Sequence, residues 1–146
     1  MAERDQALLV LHEDPCSGNC YKIKLTAALL GLPLETRQYD ILKGETRTPE
    51  FLRDVNANGR IPVLELDDGR CLSESGAILN FVADGTAFLP DDPWDRARVL
   101  QWMFFEQYTL EPTIAVRRFW LTEQEAPLSE IQQAQLPQKL EQGHAA

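Results

Sequence analysis

Along the first 85 residues, short apolar runs alternate with segments of helical spacing. Residues 7–12 and 34–40 have the length and composition of strands, and residues 19–30 between them have apolar positions at helical intervals. Ser17 stands where this helix needs an N-cap, and the apolar stripe of the helix comprises Tyr21, Leu25 and Ala28. This βαβ pattern predicts two parallel strands joined by a right-handed crossover.

A short helix and a hairpin are predicted next. Thr48 and Pro49 supply an N-cap and a proline in the first helical turn, and the helix is expected to end near Asn58-Gly59. Residues 67–69, Asp-Asp-Gly, separate two strand-length runs and are typical of a hairpin turn, in which glycine takes the positive φ. The hairpin therefore supplies a third and a fourth strand.

The third helix completes the first domain. Ser75 is predicted to cap it, and it continues through Asp84. The order βαβ, helix, ββα predicts an α/β fold, with a thioredoxin-like domain and a four-stranded mixed sheet over residues 1–85. Residues 86–93 contain two prolines and two aspartates and indicate a linker.

Residues 94–146 show helical spacing only, so we expect a partial all-α domain there. Residues 94–111 predict a helix, which Pro112 should kink before it resumes through Trp120. A further helix is predicted to start at Leu136-Pro137.

Composition and charge narrow the classes of function. The chain has 146 residues, 44% of them hydrophobic, and no apolar run approaches the roughly 18 residues of a membrane span. Residues 1–6 carry mixed charge and predict no signal peptide, and three cysteines in a chain of this length suit a reducing compartment. We therefore expect a cytoplasmic protein without a membrane partner. Neither His12 nor His144 has metal-ligand spacing, so no metal site is expected.

The charge is unevenly distributed. The net charge of −9 argues against a nucleic-acid partner, which requires a basic surface. Residues 17–62 nevertheless carry seven basic and five acidic side chains, whereas the rest of the chain is acidic. A mildly basic segment favours a small anionic ligand, although ordinary scatter of surface charge explains the count equally well.

Three local sequences resemble the glutathione S-transferase family, particularly its bacterial, theta-like and nu-like members. They are residues 17–22 (SGNCYK), residues 58–64 (NGRIPVL) and residues 72–79 (LSESGAIL), and residues 101–108 (QWMFFEQY) on a helix add to the resemblance. The resemblance covers nearly the whole chain, but the chain covers only part of the family, so its C-terminal helical half is expected to be truncated. Family members usually form homodimers.

The resemblance implies glutathione as co-substrate, with no prosthetic group. Ser75 would bind the γ-glutamyl carboxylate at a helix start, and Glu74 would face the ammonium group. Ile61 would pair its backbone with the cysteinyl backbone of glutathione, which requires Pro62 to follow a cis peptide bond. The alternative for Ser75 is a plain N-cap.

The remaining parts of glutathione have candidates as well. Lys43 and Arg60, and less strongly Arg47, would bind the glycyl carboxylate, and the alternative is solvated surface charge. The catalytic role falls on Ser17, whose hydroxyl would donate a hydrogen bond to the thiolate, and Asn19 would share the task. The alternative for Ser17 is again an N-cap alone.

A second substrate would be a small hydrophobic electrophile. Tyr108 and Arg117 could hold an aromatic electrophile, although most of this stripe is expected to be core or dimer contact. Cys16 lies next to Ser17 and could form a mixed disulfide with glutathione, whereas Cys20 is expected to be a small buried thiol.

The expected function is therefore detoxification by conjugation of glutathione to small electrophiles. Glutathione-dependent disulfide or peroxide reduction would use the same binding site. A non-catalytic glutathione-binding or dimerising module is the third alternative, and the short helical part favours it.

Overall fold

A four-stranded sheet forms the centre of the first part of the chain in a computed structural model that describes residues 8–146. In sequence order the strands are β1 (Val10–Glu13), β2 (Glu35–Gln38), β3 (Val63–Glu65) and β4 (Cys71–Ser73). The spatial order is β2-β1-β3-β4, with β1 and β2 parallel and the other two pairs antiparallel. The predicted mixed sheet is confirmed, while Ala7, the expected start of the first strand, lies outside the described residues.

Helix α1 (Gly18–Leu30) begins and ends at the predicted signals. Ser17 is its N-cap and accepts a hydrogen bond from the Cys20 N–H, and Gly31 follows it in the left-handed conformation. The predicted apolar stripe is wrong, because Tyr21 and Leu25 are exposed. The buried side chains are instead Cys20, Ile23 and Ala27. Helix α1 packs against the third helix.

The core of this part lies between the sheet and two helices. Leu11 and Leu64 come from paired positions on β1 and β3 and are fully buried. Ile23 from α1 and two residues of the third helix complete the cluster, namely Ile78 and Val82. Burial of each such side chain contributes about 1.5–3 kcal/mol to folding.

Helix α2 (Pro49–Asp54) follows a 3-10 turn (Glu45–Arg47) and starts as predicted, with the Thr48 hydroxyl accepting from the Phe51 N–H at 3.2 Å. It ends before the predicted Asn58-Gly59. The reason is Asn56, whose side chain bonds to the loop that follows and competes with helical pairing.

Helix α3 (Ser75–Ala83) starts differently from the prediction. Its N-cap is Glu74, which has φ 71° and makes no side-chain capping bond. Ser75 is therefore the first residue inside the helix and does not cap it. The helix ends at Ala83 and not at Asp84, because Asp84 is already extended and bridges to Leu89.

The chain divides into two compact units, the first ending at Pro90 and the second comprising Asp91–Ala146. The second unit contains α4 (Pro93–Phe105), a π-helical segment (Glu106–Ala115), α5 (Val116–Thr122) and α6 (Glu130–Ala145). Pro112 lies inside the π-helical segment. Wider π turns shift the hydrogen-bond pairing, which accommodates a residue without an N–H.

Helix α6 starts well before the predicted Leu136-Pro137. Its N-cap is Ser129, which forms a capping box with Gln132. These two reciprocal bonds satisfy the first backbone donors, so the helix begins at Glu130 and contains Pro137 in its interior. Among residues 8–146, no helix is long and apolar enough to cross a membrane.

Candidate functional site

The starts of α1 and α3 meet in the first unit. The Ser75 hydroxyl donates a hydrogen bond to Oδ1 of Asn19 at 3.3 Å, although the two residues are 56 positions apart in sequence. Ser75 is 5% exposed, and α1 packs against α3. The first N–H groups of a helix have no intrahelical acceptor and carry partial positive charge. The two predicted motifs therefore converge on one place that favours an anion.

The turn into α3 has an unusual backbone. Glu74 is the only residue other than glycine with a positive φ among the described residues. This conformation costs about 1–3 kcal/mol for a residue with a side chain, and such residues cluster at functional sites. Since Ser75 follows this turn and does not cap the helix, the alternative of a plain Ser75 N-cap is wrong.

Ser17 caps α1, and its hydroxyl retains a proton that it can donate. Its N–H donates to the Asp14 carbonyl at 3.0 Å, and its hydroxyl oxygen accepts from the Cys20 N–H at 3.3 Å. A hydroxyl that accepts one bond can still donate its own proton. Capping by Ser17 is therefore compatible with donation to a thiolate.

The cysteines near this loop differ in environment. Cys20 is fully buried, and burial raises the pKa of its thiol, so it is the inert buried thiol that we expected. Cys16 forms no disulfide bond and has an exposed side chain. Among the described residues, no group of His, Cys, Asp and Glu side chains is arranged to hold a metal ion.

Asp14 is a site residue that sequence reasoning missed. Its buried carboxylate accepts from the Cys16 N–H at 2.8 Å and from the Ile41 N–H at 3.3 Å. It therefore joins the loop of Ser17 to the loop of Lys43. The Asp-Pro sequence could have indicated a side-chain-stabilised turn, but nothing local indicated Ile41 as a partner.

The segment before β3 contains the residues for which a backbone contact is predicted. The Ile61–Pro62 peptide bond, for which the resemblance implied the cis isomer, is cis. Pro62 is buried and Ile61 is half-buried. Arg60 is exposed, and its guanidinium makes no hydrogen bond or ion pair with any residue in the described part of the chain.

Lys43 and Arg47 both have partners within the protein. The Lys43 ammonium lies 2.9 Å from Oδ2 of Asp40, and its hydrogen bond lowers the pKa of that carboxyl. Arg47 donates from Nη1 to the Asn58 carbonyl at 2.8 Å. Of the three predicted cations, Arg47 is thus bound to the loop that leads to Ile61.

Tyr108 and Arg117 belong to the second unit. Tyr108 lies on the π-helical segment and is 88% exposed. Arg117, on α5, donates from Nε to the Leu136 carbonyl of α6 at 3.3 Å. Arg117 therefore connects two helices of this unit.

A buried polar chain crosses the opposite face of the sheet. Nδ1 of His12 lies 2.9 Å from the Tyr39 hydroxyl, and Nε2 lies 2.8 Å from a Glu65 carboxylate oxygen. Burial lowers the pKa of His12, so the neutral imidazole donates to Glu65 and accepts from Tyr39. The phenol ring of Tyr39 and the ring of His12 also contact Phe51, which holds α2 on the sheet.

Comparisons with known proteins identify the family to which this fold is similar. The family model described as "Glutathione S-transferase, N-terminal domain" matches residues 15–84. A crystal structure of a glutathione S-transferase from Pseudomonas fluorescens Pf-5 is 52% identical, with a TM-score of 0.87 over 94% of this chain and 67% of that chain. A possible glutathione S-transferase from Rhodopseudomonas palustris is 46% identical, with a TM-score of 0.86 over 94% of this chain and 61% of that chain.

A curated relative is similar over a shorter range. The maleylacetoacetate isomerase of Pseudomonas aeruginosa is 33% identical over 87 residues, which are 56% of this chain and 41% of that protein. The match therefore spans less than half the length of this curated relative.

Proposed function

Because the chain belongs to the glutathione S-transferase family, we propose that it binds glutathione, stabilises the thiolate and transfers it to small electrophiles. The observation that carries this proposal is the hydrogen bond between Ser75 and Asn19. It holds two helix N-termini side by side, and a tripeptide with two carboxylates and an ionised sulfur needs several N–H donors close together.

The γ-glutamyl end is assigned to the start of α3. The Ser75 hydroxyl would have to turn its one proton from Asn19 to the ligand, and the first N–H groups of α3 add partial positive charge, so a carboxylate is stabilised there. The Glu74 carboxylate would pair with the ammonium group of the same residue. The positive φ of Glu74 supports this assignment, because a conformation of that cost needs a compensating role.

The rest of the peptide is assigned to the edge before β3. Ile61 would exchange backbone hydrogen bonds with the cysteinyl residue, and Pro62 ends that segment. Arg60 is the stronger candidate for the glycyl carboxylate, since its guanidinium has no partner among the described residues. Lys43 remains a candidate, but it would have to leave or share Asp40.

Ser17 and Asn19 are assigned to the sulfur. A hydrogen bond from the Ser17 hydroxyl stabilises the thiolate over the thiol and so lowers the thiol pKa, and the thiol proton passes to water. The sulfur lone pair then forms a bond to the electrophilic carbon, and the leaving group departs with its electron pair. The protein supplies position and electrostatic stabilisation, so no general base is needed.

The electrophile and the assembly are proposed from membership of the family. Tyr108 remains a candidate for an aromatic electrophile because its ring is exposed. Arg117 is a weaker candidate, since it is hydrogen-bonded to Leu136. We also propose a homodimer that acts in cytoplasmic detoxification.

A second candidate function is favoured by the exposed thiol of Cys16 beside Ser17. In glutathione-dependent disulfide reduction, the Cys16 thiolate would attack a disulfide and glutathione would then resolve the mixed disulfide. If Cys16→Ser keeps full reductase activity, this cysteine mechanism is excluded. Binding of glutathione without either activity would support a binding module.

The binding test is calorimetric titration of glutathione into the chain and into Ser75→Ala. Loss of a hydrogen bond to a charged group should raise Kd roughly 10- to 100-fold. Ser73→Ala, at the end of β4 just before this turn, is the matched control and should leave Kd unchanged. Absence of heat and of a thermal shift in a folded wild-type sample at millimolar glutathione would contradict the proposal.

A further inference from the structure

Arg47 lies across the Asn58-Gly59 turn. This turn precedes Ile61, which is proposed to pair with the backbone of glutathione. Its Nη1 donates to the Asn58 carbonyl at 2.8 Å. The side chain also covers Gly59 so closely that a Cβ on that glycine would lie 2.6 Å from Nη1 and 2.9 Å from Cδ of Arg47. Gly59 is buried and has φ +60°, which a residue with a side chain rarely adopts. Arg47 and Gly59 therefore form one packed unit.

The same turn is held from a second direction by Asn56. Its Nδ2 donates to the Arg60 carbonyl at 2.9 Å, and its Oδ1 accepts from the Asn58 N–H at 3.0 Å. The turn also has a backbone hydrogen bond from the Gly59 N–H to the Asn56 carbonyl at 2.8 Å, and the side chains of Arg47 and Asn56 hold the carbonyls of Asn58 and Arg60 around it. Ile61 follows directly, and its backbone direction depends on where the turn ends.

We propose that Arg47 is a positioning residue, which fixes the Asn58-Gly59 turn and thereby sets the Ile61 backbone for pairing with glutathione. This inference rests on the proposed function. It differs from direct binding of the glycyl carboxylate by Arg47, because the effect would reach the ligand through the turn. Arg60, by contrast, is assigned to the carboxylate itself.

A ligand that lacks the glycyl carboxylate distinguishes between the two roles, which are binding of that carboxylate and positioning of Ile61. Glutathione with its glycyl carboxylate converted to the carboxamide keeps the cysteinyl backbone that pairs with Ile61. A residue that binds the carboxylate loses its contribution with this amide. A residue that positions Ile61 contributes equally to both ligands.

The experiment is calorimetric titration of glutathione and its amide into the wild-type chain and three variants. Arg47→Met keeps an apolar stem on Gly59 and removes the donors, and it should raise Kd about tenfold for both ligands. Arg60→Met should raise Kd for glutathione and leave Kd for the amide unchanged. Arg53→Met is the control, because Arg53 is exposed and paired with Asp54 on α2, and Kd should change less than about twofold.

The outcomes decide between the roles. If the Arg47→Met effect disappears with the amide, Arg47 binds the carboxylate and the proposal is overturned. If Arg47→Met lowers the binding stoichiometry at unchanged Kd, the side chain is needed for folding only, which also overturns it. If the wild-type chain binds neither ligand, the proposed function itself fails.

Gly59→Ala provides an independent check with Arg47 intact. The added methyl would displace the Arg47 guanidinium and contact the Thr46 carbonyl at 2.9 Å. The proposal expects a loss of affinity at least as large as for Arg47→Met and for both ligands. Wild-type Kd in a folded Gly59→Ala sample would overturn it.

Discussion

The two units of this protein bury their side chains to very different degrees. The first unit has a core in which Leu11, Ile23, Leu64 and Ile78 are fully buried. In the second unit, residues 91–146, Thr113 is the only buried residue. Several of its largest apolar side chains are more than 60% exposed, namely Trp94, Trp102, Phe104 and Tyr108. The packed core of this protein therefore lies in the first unit.

Each of the two units is stabilised internally by a different kind of interaction. The sheet unit depends on contacts between residues far apart in sequence, such as Leu11 with Leu64. The helical unit depends on caps and on polar contacts between neighbouring helices, among them the Lys139 ammonium donating to the Pro112 carbonyl at 2.6 Å. A binding site needs fixed geometry, and the proposed glutathione residues lie on the unit with the packed core.

The largest effect is expected from a cavity in the sheet unit. Leu64→Ala removes a fully buried side chain between β1 and α3 and should cost about 2–5 kcal/mol. Trp102→Ala removes a larger but mostly exposed side chain and should cost less than about 1 kcal/mol. Urea denaturation measures both changes when it is combined with amide hydrogen exchange of β1 and β3 for Leu64→Ala and of α4 for Trp102→Ala.

Equal costs for these two variants would break the comparison. Such a result would mean that the helical unit has a core of its own around Trp102. Leu64→Met, which conserves volume at the same buried position, serves to show how much of the Leu64→Ala effect is due to lost volume.

A medium effect is expected at the capping box of the helical unit. Ser129→Ala removes the acceptor for the Gln132 N–H and should destabilise α6 by about 1 kcal/mol. The ammonium of Lys139 on α6 lies 5.0 Å from the ring centroid of Trp120, so fluorescence of Trp120 reports α6. Trp94→Phe and Trp102→Phe remove the other two tryptophans from the signal.

The control for this prediction is Thr48→Ala, which removes the corresponding cap of α2 in the sheet unit. It should leave the Trp120 signal unchanged, since all three tryptophans lie in the helical unit. An unchanged midpoint in Ser129→Ala would show that packing and not the cap determines α6.

The smallest effect is a dependence of stability on pH that belongs to the sheet unit. Burial lowers the pKa of His12 below its ordinary value of 6.5, because the imidazolium loses its hydration. Between the folded pKa and 6.5 the unfolded chain binds more protons than the folded chain. The stabilisation that neutral His12 contributes to the unfolding free energy is therefore fully present above pH 6.5. It is lost as the pH falls through the pKa of His12 in the folded protein.

Measurement of the unfolding free energy between pH 5 and 7.5 tests whether the protein loses stability as the pH falls. Part of the loss on acidification should disappear in His12→Phe, while His144→Gln, at the exposed end of α6, should keep the wild-type slope. The hypothesis is wrong if both variants follow the wild-type curve.

Much of the fold was predictable because its signals are local. The Ser17 cap, the Thr48-Pro49 helix start and the glycine turn at residues 67–69 each depend on neighbours within about four positions. The order of these elements determined the mixed sheet. One local signal is misleading: Leu136-Pro137 predicts a helix start, whereas the Ser129 capping box begins α6 earlier.

The candidate site was only partly predictable for a physical reason. Its residue types were identified through motifs, but the bonds from Ser75 to Asn19, from Asp14 to Ile41 and from Arg47 to Asn58 join separate segments. Such contacts depend on strand register and helix packing, which no single stretch of sequence encodes. The sequence by itself determined the elements and the chemistry available to them, and the tertiary structure decided which side chains meet, because long-range hydrogen bonds form only after the core has fixed the positions of the backbone.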